Sequence, residues 1–368
     1  MNLHRIIAFA AAALLALTAA ADEGPACALG DFAGVEKVDV HVHLSGELPE
    51  FVARARADKF RVLTINVNYP DFPSLERQLA DSVALQRAWP DRIAFAATFD
   101  AAGSERPGWL AGVEHELDAA LAQGAVAVKI WKDVGMHQRD ADGRTVMIDD
   151  PRFDPLFEWL QKRGVPILGH QGEPRNAWLP LEKMTIRGDR EYFAEHPQYH
   201  MAAHPEWPSY EQQVAARDRV LDRHPGLRFV GVHLASLEWD VDRIVAFLRR
   251  YPNASVDLAA RVPHLQLQAS ADPAKVRRFF IEFQDRILYG SDSSRGTGVT
   301  DADFASEIHA AWLADWQFLC GGDALHSPEF DAPFRGLALP RPVIDKVYRD
   351  NALRLFPAAW SRTGEKKP

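Results

Sequence analysis

The sequence predicts a (β/α)8 barrel, and three observations lead there. Eight short apolar runs alternate with helix-like stretches between residues 38 and 356. The runs are near-continuously apolar, as strands are when both faces of a parallel sheet are covered. Polar side chains stand at the C-terminal ends of several runs, where barrel enzymes build their sites.

In order, strands are read over 38–44, 61–67, 92–99, 125–131, 165–171, 227–234, 254–260 and 286–291. Residues 109–122 place Leu110, Val113, Leu117 and Leu121 at helical steps, and Gly124 follows where a helix can stop. Asp154-Pro155 opens another helix, with proline where a missing N–H costs nothing, and Gly164 closes it. Ser209-Tyr210-Glu211-Gln212 reads as a capping box, while Asp240 and Asp272-Pro273 open two further helices. Tyr348 to Phe356 reads as a docking C-terminal helix. Strands feeding helices feeding strands imply parallel pairing. The rival, a doubly wound nucleotide-binding sheet, calls for a glycine-rich loop after the first strand, and Leu44-Ser45-Gly46-Glu47-Leu48-Pro49 is no such loop.

Two stretches exceed what minimal βα units need. Residues 173–208 are rich in Pro, Trp, His and charge, and residues 293–340 hold several glycines and prolines. Both are expected as lid-like insertions over the C-terminal face of the barrel.

Composition excludes some partners. With 368 residues, 47% of them hydrophobic, the chain can bury a large core, and a formal charge of −9 leaves no basic surface for nucleic acid. His4 and Arg5, the apolar run to Ala20 and the Ala19-Ala20-Ala21 exit read as a signal peptide over residues 1–21. The mature chain, 22–368, is then a single barrel domain, exported to a periplasm or secreted, with no stable membrane span after cleavage. Cys27 and Cys320, the two cysteines, could pair in that oxidising compartment.

The chemistry lies at the strand ends. The first strand ends His41-Val42-His43, and alternation sends both imidazoles one way with Val40 and Val42 the other. Strand four ends Val128-Lys129-Ile130-Trp131, strand five Gly169-His170, strand six Val232-His233 and strand eight Gly290-Ser291-Asp292. If His170, His233 and Asp292 face the axis, then Leu168, Gly231 and Gly290 do too, leaving Ile167, Val230, Val232 and Tyr289 to pack under helices. Imidazoles and a carboxylate form a mixed set suited to zinc or another divalent ion. Such an ion acidifies bound water, and Asp292 can bind it, take the water proton, or both.

Together these motifs resemble the amidohydrolase superfamily. The likeness is to its amidohydrolase-related branch, which includes aminocarboxymuconate-semialdehyde decarboxylase and dicarboxylate lactonases. It rests on His41-Val42-His43, His170-Gln171-Gly172-Glu173, His233, Tyr289-Gly290-Ser291-Asp292 and Tyr348-Arg349-Asp350-Asn351-Ala352, with His204-Pro205-Glu206 and His224-Pro225. The resemblance implies a distorted TIM barrel with His41, His43, His170 and Asp292 as metal ligands and His233 as a catalytic or second-metal histidine. A carboxylated Lys129 would bridge two ions, with His170 and His233 on the second; a single ion, most simply zinc, is favoured, and the alternative pairs Lys129 with a substrate carboxylate or with Asp39.

Smaller expectations surround this set. Arg175, Trp131 and Arg261 are candidate substrate residues, the arginines for an anionic group, with Lys132, Glu173, Asn176, Trp178, Glu238, Trp239, Ser293 and Arg295 also near the mouth. His196, His200 and His204 read as structural, and Trp312, Trp316 and Phe318 as core. The expected activity is hydrolysis of an ester, lactone or amide in a small molecule, by a monomer or a homo-oligomer. Non-oxidative decarboxylation in the same fold, and a non-catalytic metal-binding protein, are the alternatives.

Overall fold

The computed structural model describes residues 24–296 and 298–360; the expected signal peptide, 1–21, lies outside the described residues. Eight strands follow the predicted order: β1 (Lys37–His43), β2 (Phe60–Ile65), β3 (Ile93–Thr98), β4 (Val128–Ile130), β5 (Ile167–Gly169), β6 (Phe229–Gly231), β7 (Ala254–Asp257) and β8 (Ile287–Leu288). Each pairs in parallel with the next, and a ninth short strand, β9 (Ser293–Ser294), pairs with β1. Residues on either side of the β8–β9 break also bind β1, since Val40 N–H donates to the Tyr289 carbonyl at 3.0 Å and Asp292 N–H to that of His41 at 2.8 Å. The chain is thus a TIM barrel, with β9 resuming the eighth strand after a left-handed residue, Asp292 (φ 67°).

Two apolar layers define inside and outside. Val38, Val40, Leu63, Ile65, Ala94, Ala96, Leu168, Val230 and Leu288 pack together within the ring. Phe60, Val62, Phe95, Val128, Ile167, Phe229, Val256 and Ile287 belong to the larger core beneath the helices. Helix caps follow the sequence signals: Ser209 accepts from Gln212 N–H, Asp240 from Asp242 N–H and Asp272 from Lys275 N–H, and Gly164 ends its helix at φ 63°. The C-terminal segment is π-helical over Lys346–Asp350 and α-helical over Asn351–Leu355, and the Asn351 amide donates to the carbonyls of Gln284 (2.7 Å) and Ile287 (2.8 Å), anchoring it beneath β8.

Two expectations of alternation are corrected. Register slips by one residue between Asp39 and Val42, so Val40 points into the ring together with the histidines it was expected to oppose. The Asp39 carboxylate holds the bulge by accepting from His41 N–H (3.1 Å), Ser291 N–H (3.0 Å) and the Trp312 indole (2.9 Å). In the sixth strand Val230 and Val232 face inward and Gly231 outward, the reverse of the expectation. Regular pairing there ends at Gly231, because His233, Leu234, Ala235 and Ser236 all adopt left-handed backbone.

The second insertion is corrected in part. Within 293–340 the helix Asp301–Cys320 packs outside the barrel, with Trp312 stacked on Phe60 at 3.9 Å, so it covers the wall and not the mouth. The hairpin of β10 (Ala324–Ser327) and β11 (Phe330–Arg335) does reach the mouth, where Glu329 accepts from Gly188 N–H at 2.7 Å. Residues 173–208 form short 3-10 turns and the helix Arg187–Glu195, whose Tyr192 and Phe193 wall the cavity. Cys27 and Cys320 form a disulfide that ties the N-terminal strap to the end of the long helix.

Candidate metal centre and active site

The bulge and the left-handed break decide which side chains meet at the C-terminal mouth. His41 and His43 arrive from the bulged end of β1, and each ring is held by its Nδ1. His41 Nδ1–H donates to Asp257 Oδ2 and His43 Nδ1–H to the Ile65 carbonyl, both at 2.8 Å. Each Nε2 is left with a lone pair, and each lies 3.3 Å from Asp292 Oδ1. Two imidazole lone pairs and a carboxylate oxygen converge; the Lys129 ammonium is 3.3 Å from His41 Nε2. A cation at that convergence relieves the repulsion, so the residues present fit a divalent ion.

His170 and His233 complete the floor. Their rings lie 4.2 Å apart, and His233 is 4.8 Å from His41. His233 Nδ1–H donates to the Ala259 carbonyl at 2.9 Å and lies 3.9 Å from Asp292 Oδ2. His170 Nε2 is buried with no hydrogen-bond partner among the described residues, Glu173 Oε2 standing off at 3.7 Å, the state of a donor atom awaiting a ligand. Burial first, then the Lys129 charge, holds His170 well below the ordinary imidazole range and lowers His41; burial and neighbouring His170 do the same for His233. Neutral imidazoles are the metal-binding form. Burial works against the Asp292 carboxylate, yet positive charge on the His41, His233 and His43 side of it, from a ring that takes up a proton, holds it well below the carboxylate range. Burial also lowers Lys129, to about 8, against the pull of Asp257 and Asp292. Asp39 is bonded to Trp312 and the bulge, and the ammonium of Lys129 turns instead to His41.

The sequence reading missed Asp257. Alternation turns it inward from β7, where it accepts from the His41 ring and, at 2.6 Å, from His233 N–H, so one carboxylate sets both the tautomer of His41 and the break that delivers His233. The signal was present: a lone charged residue in Ala254-Ser255-Val256-Asp257-Leu258-Ala259, fully buried.

Above the floor lie two adjoining cavities of about 320 and 270 Å³, which share Lys132, His170, Tyr192, His233 and Asp292 as lining. Arg261, Asp189 and Glu329 line the first; Tyr69, Phe72 and Trp131 line the second. Arg261 is buried and its Nε has no hydrogen-bond partner among the described residues, whereas Nη1 lies 3.8 Å from Asp189 Oδ1. Arg175 is not brought to the cavity: it is exposed, with its guanidinium 4.1 Å over Trp239 and its N–H donating to Glu238. Asn176 bonds Asp189, and Trp178 donates to the Pro208 carbonyl, both within the lid. Arg295 and Ser294 line an outer pocket beside His43. His196, His200 and His204 bond the carbonyls of Tyr192, Leu179 and Pro197. Trp312, Trp316 and Phe318 are core.

Comparison with known proteins follows the same lines. The fold is similar to that of an uncharacterized TIM-barrel protein from Bordetella bronchiseptica, at 16% identity over 89% of this chain and 100% of that one, with a TM-score of 0.51. It is similar too to 2,6-dihydroxybenzoate decarboxylase from Rhizobium, at 16% identity over 88% of this chain and 98% of that one, with a TM-score of 0.50. A probable 2-pyrone-4,6-dicarboxylic acid hydrolase from Acinetobacter baumannii aligns at 11% identity over 88% of this chain and 100% of that one, with a TM-score of 0.47. No curated protein matches the chain. The family model described as Amidohydrolase matches residues 38–358, which takes in the eight barrel strands but for the first residue of β1 and every histidine of the mouth, and the chain belongs to that family.

Proposed function

We propose that the protein is an exported, metal-dependent hydrolase of ester, lactone or amide bonds. The observation that carries this reading is the convergence of His41 Nε2 and His43 Nε2 on Asp292 Oδ1, each at 3.3 Å, with both imidazoles fixed through Nδ1. His41, His43, His170 and Asp292 would hold one divalent ion, most simply zinc. When bound, that ion polarises the substrate carbonyl and acidifies water. The chain's own part follows from its groups. Asp292, kept ionised, takes the proton that water loses as its oxygen joins the carbonyl carbon. His233, neutral and held by Ala259, stands beside Asp292 to orient that water. Arg261 offers its unpartnered Nε to an anionic part of the substrate, and Trp131 an apolar wall. A carboxylated Lys129 with His170 and His233 is the arrangement that would take a second ion.

Metal analysis and a substrate panel test this. One ion per chain and water-dependent cleavage are expected, and Asp292→Asn should keep the fold while turnover drops by about 100-fold or more. Near-normal activity in that variant removes the role. Carbon dioxide release without water addition makes the protein a decarboxylase, and a metal-loaded chain inert on esters, lactones, amides and carboxylates makes it a binding protein. Export is supported by the leader over residues 1–21 and by the Cys27–Cys320 disulfide, a bond that persists in oxidising compartments. Recovery of the oxidised protein in the periplasmic fraction, beginning near Asp22, is the expected result.

A further inference from the structure

We propose that the outer pocket beside His43 is a substrate subsite that takes a carboxylate-bearing part of the substrate through Arg295; this rests on the hydrolytic reading above. The pocket, about 560 Å³, is larger than either cavity over the floor. His43, Tyr69, Phe72 and Ser294 line both it and the cavity walled by Trp131, and that cavity in turn adjoins the one that holds Arg261. The outer pocket and the Arg261 cavity share no lining residue among those described. The three spaces therefore stand in a row, with His41, His43, His170, His233 and Asp292 around the middle one. A bond cut there leaves one part of the substrate on each side, and Arg261 serves one side alone.

Arg295 is built into the other side. It follows β9, and two backbone carbonyls hold it: its Nε–H donates to Val299 at 3.1 Å and its Nη1–H, more loosely, to Glu47 at 3.5 Å. Both acceptors are neutral, and no carboxylate pairs with Arg295 among the described residues. A guanidinium has five N–H bonds, so three are left, including the Nη1–Nη2 edge that a carboxylate meets side by side. The carbonyls fix where the side chain stands and leave its charge uncompensated.

The rest of the lining agrees with a ligand that is apolar in its body and charged at its far end. Phe72 stands edge-on to His43 at 5.3 Å and to Tyr69 at 5.1 Å, and Leu44 and Ile65 add aliphatic wall. Gln78 is taken up by bonds to Val67 and Pro73. Asp71, the one carboxylate on the lining, is exposed and stands beside Tyr69. Arg295 is thus a specificity residue: it grips a part of the substrate away from the reacting bond, so its effect falls on KM.

Three esters test this on the metal-loaded enzyme: neutral phenyl acetate, 4-acetoxybenzoate with a carboxylate on the leaving part, and monophenyl succinate with one on the acyl part. The wild type should prefer one of the charged esters to phenyl acetate. Arg295→Gln should lower that preference, read as the ratio of kcat/KM values, about tenfold or more and through KM. Arg295→Glu, with the same side-chain shape and the opposite charge, should lower it further. A preference that survives Arg295→Gln, that falls equally in the two variants, or that the wild type lacks for both charged esters, overturns the proposal while leaving hydrolysis standing. A wild-type enzyme that cleaves none of the three sinks the hydrolytic reading, and the proposal with it. Arg295 is half-buried on a loop, so both variants should fold, and matching thermal melts check that the ratios compare intact proteins.

Discussion

At the scale of single residues, Asp257 is the group on which the floor depends. Its carboxylate fixes the His41 tautomer, and such partners of ligating histidines typically matter by one to two orders of magnitude in metal affinity. Asp257→Asn should therefore fold, yet bind zinc about 10- to 100-fold more weakly in a competition titration with a chelator. Asp133 gives a pH signature elsewhere. Burial, helped by Asp100, raises its pKa to about 7 from an ordinary 3.8. The sign follows: the folded form holds the proton more tightly, so this contribution to stability is complete below about pH 4 and is lost as pH rises through 7. Asp133→Asn should gain on the wild type between pH 4 and 8 in urea unfolding, and a constant gap across that range would contradict the assignment. Single residues were also where reading the sequence did best and worst. His41, His43, His170, His233 and Asp292 were legible because polar groups at the ends of apolar runs are conspicuous. Asp257 was not, because attention to strand ends passes over a carboxylate inside one.

At the scale of elements, existence was legible and local geometry was not. All eight strands lie within the predicted runs or within a residue of them. Yet three of the five mouth residues reach the site by irregular backbone: His41 through the one-residue slip in β1, His233 through left-handed residues after β6, and Asp292 at the left-handed break between β8 and β9. Strict alternation gave the right histidines with the wrong neighbours, Val40 and Gly231. A bulge held by Asp39 and a break held by Asp257 depend on partners over 200 and over 20 residues away, which periodicity does not encode. Gly231 is the sensitive point. A Cβ there would stand 2.9 Å from the Cα of Ala235 and nearer still to its Cβ, so Gly231→Ala should cost about 1–3 kcal/mol and displace His233. Denaturant melts and metal content, falling together, check it.

At the scale of the whole molecule, the barrel carries its site on one rim and its covalent tie on the wall. The disulfide closes a sequence separation of 293 residues, and losing it should destabilise the fold by about 2–4 kcal/mol. Cys27→Ser with Cys320→Ser, or reductant, should lower Tm while the rim chemistry persists. Composition and length had bounded this level: a large core and no basic face. The division of labour in the second insertion had not been legible, because a helix under the wall and a hairpin over the mouth both read as surplus sequence after strand eight.

That tie also sets an order of events. On the export proposed above, a chain led out by its N-terminus would deliver Cys27 among its first residues and Cys320 among its last, so the thiol at the front would wait for nearly the whole polypeptide to arrive. Closing the strap would then come late in maturation, and oxidation would report that nearly all of the chain had crossed.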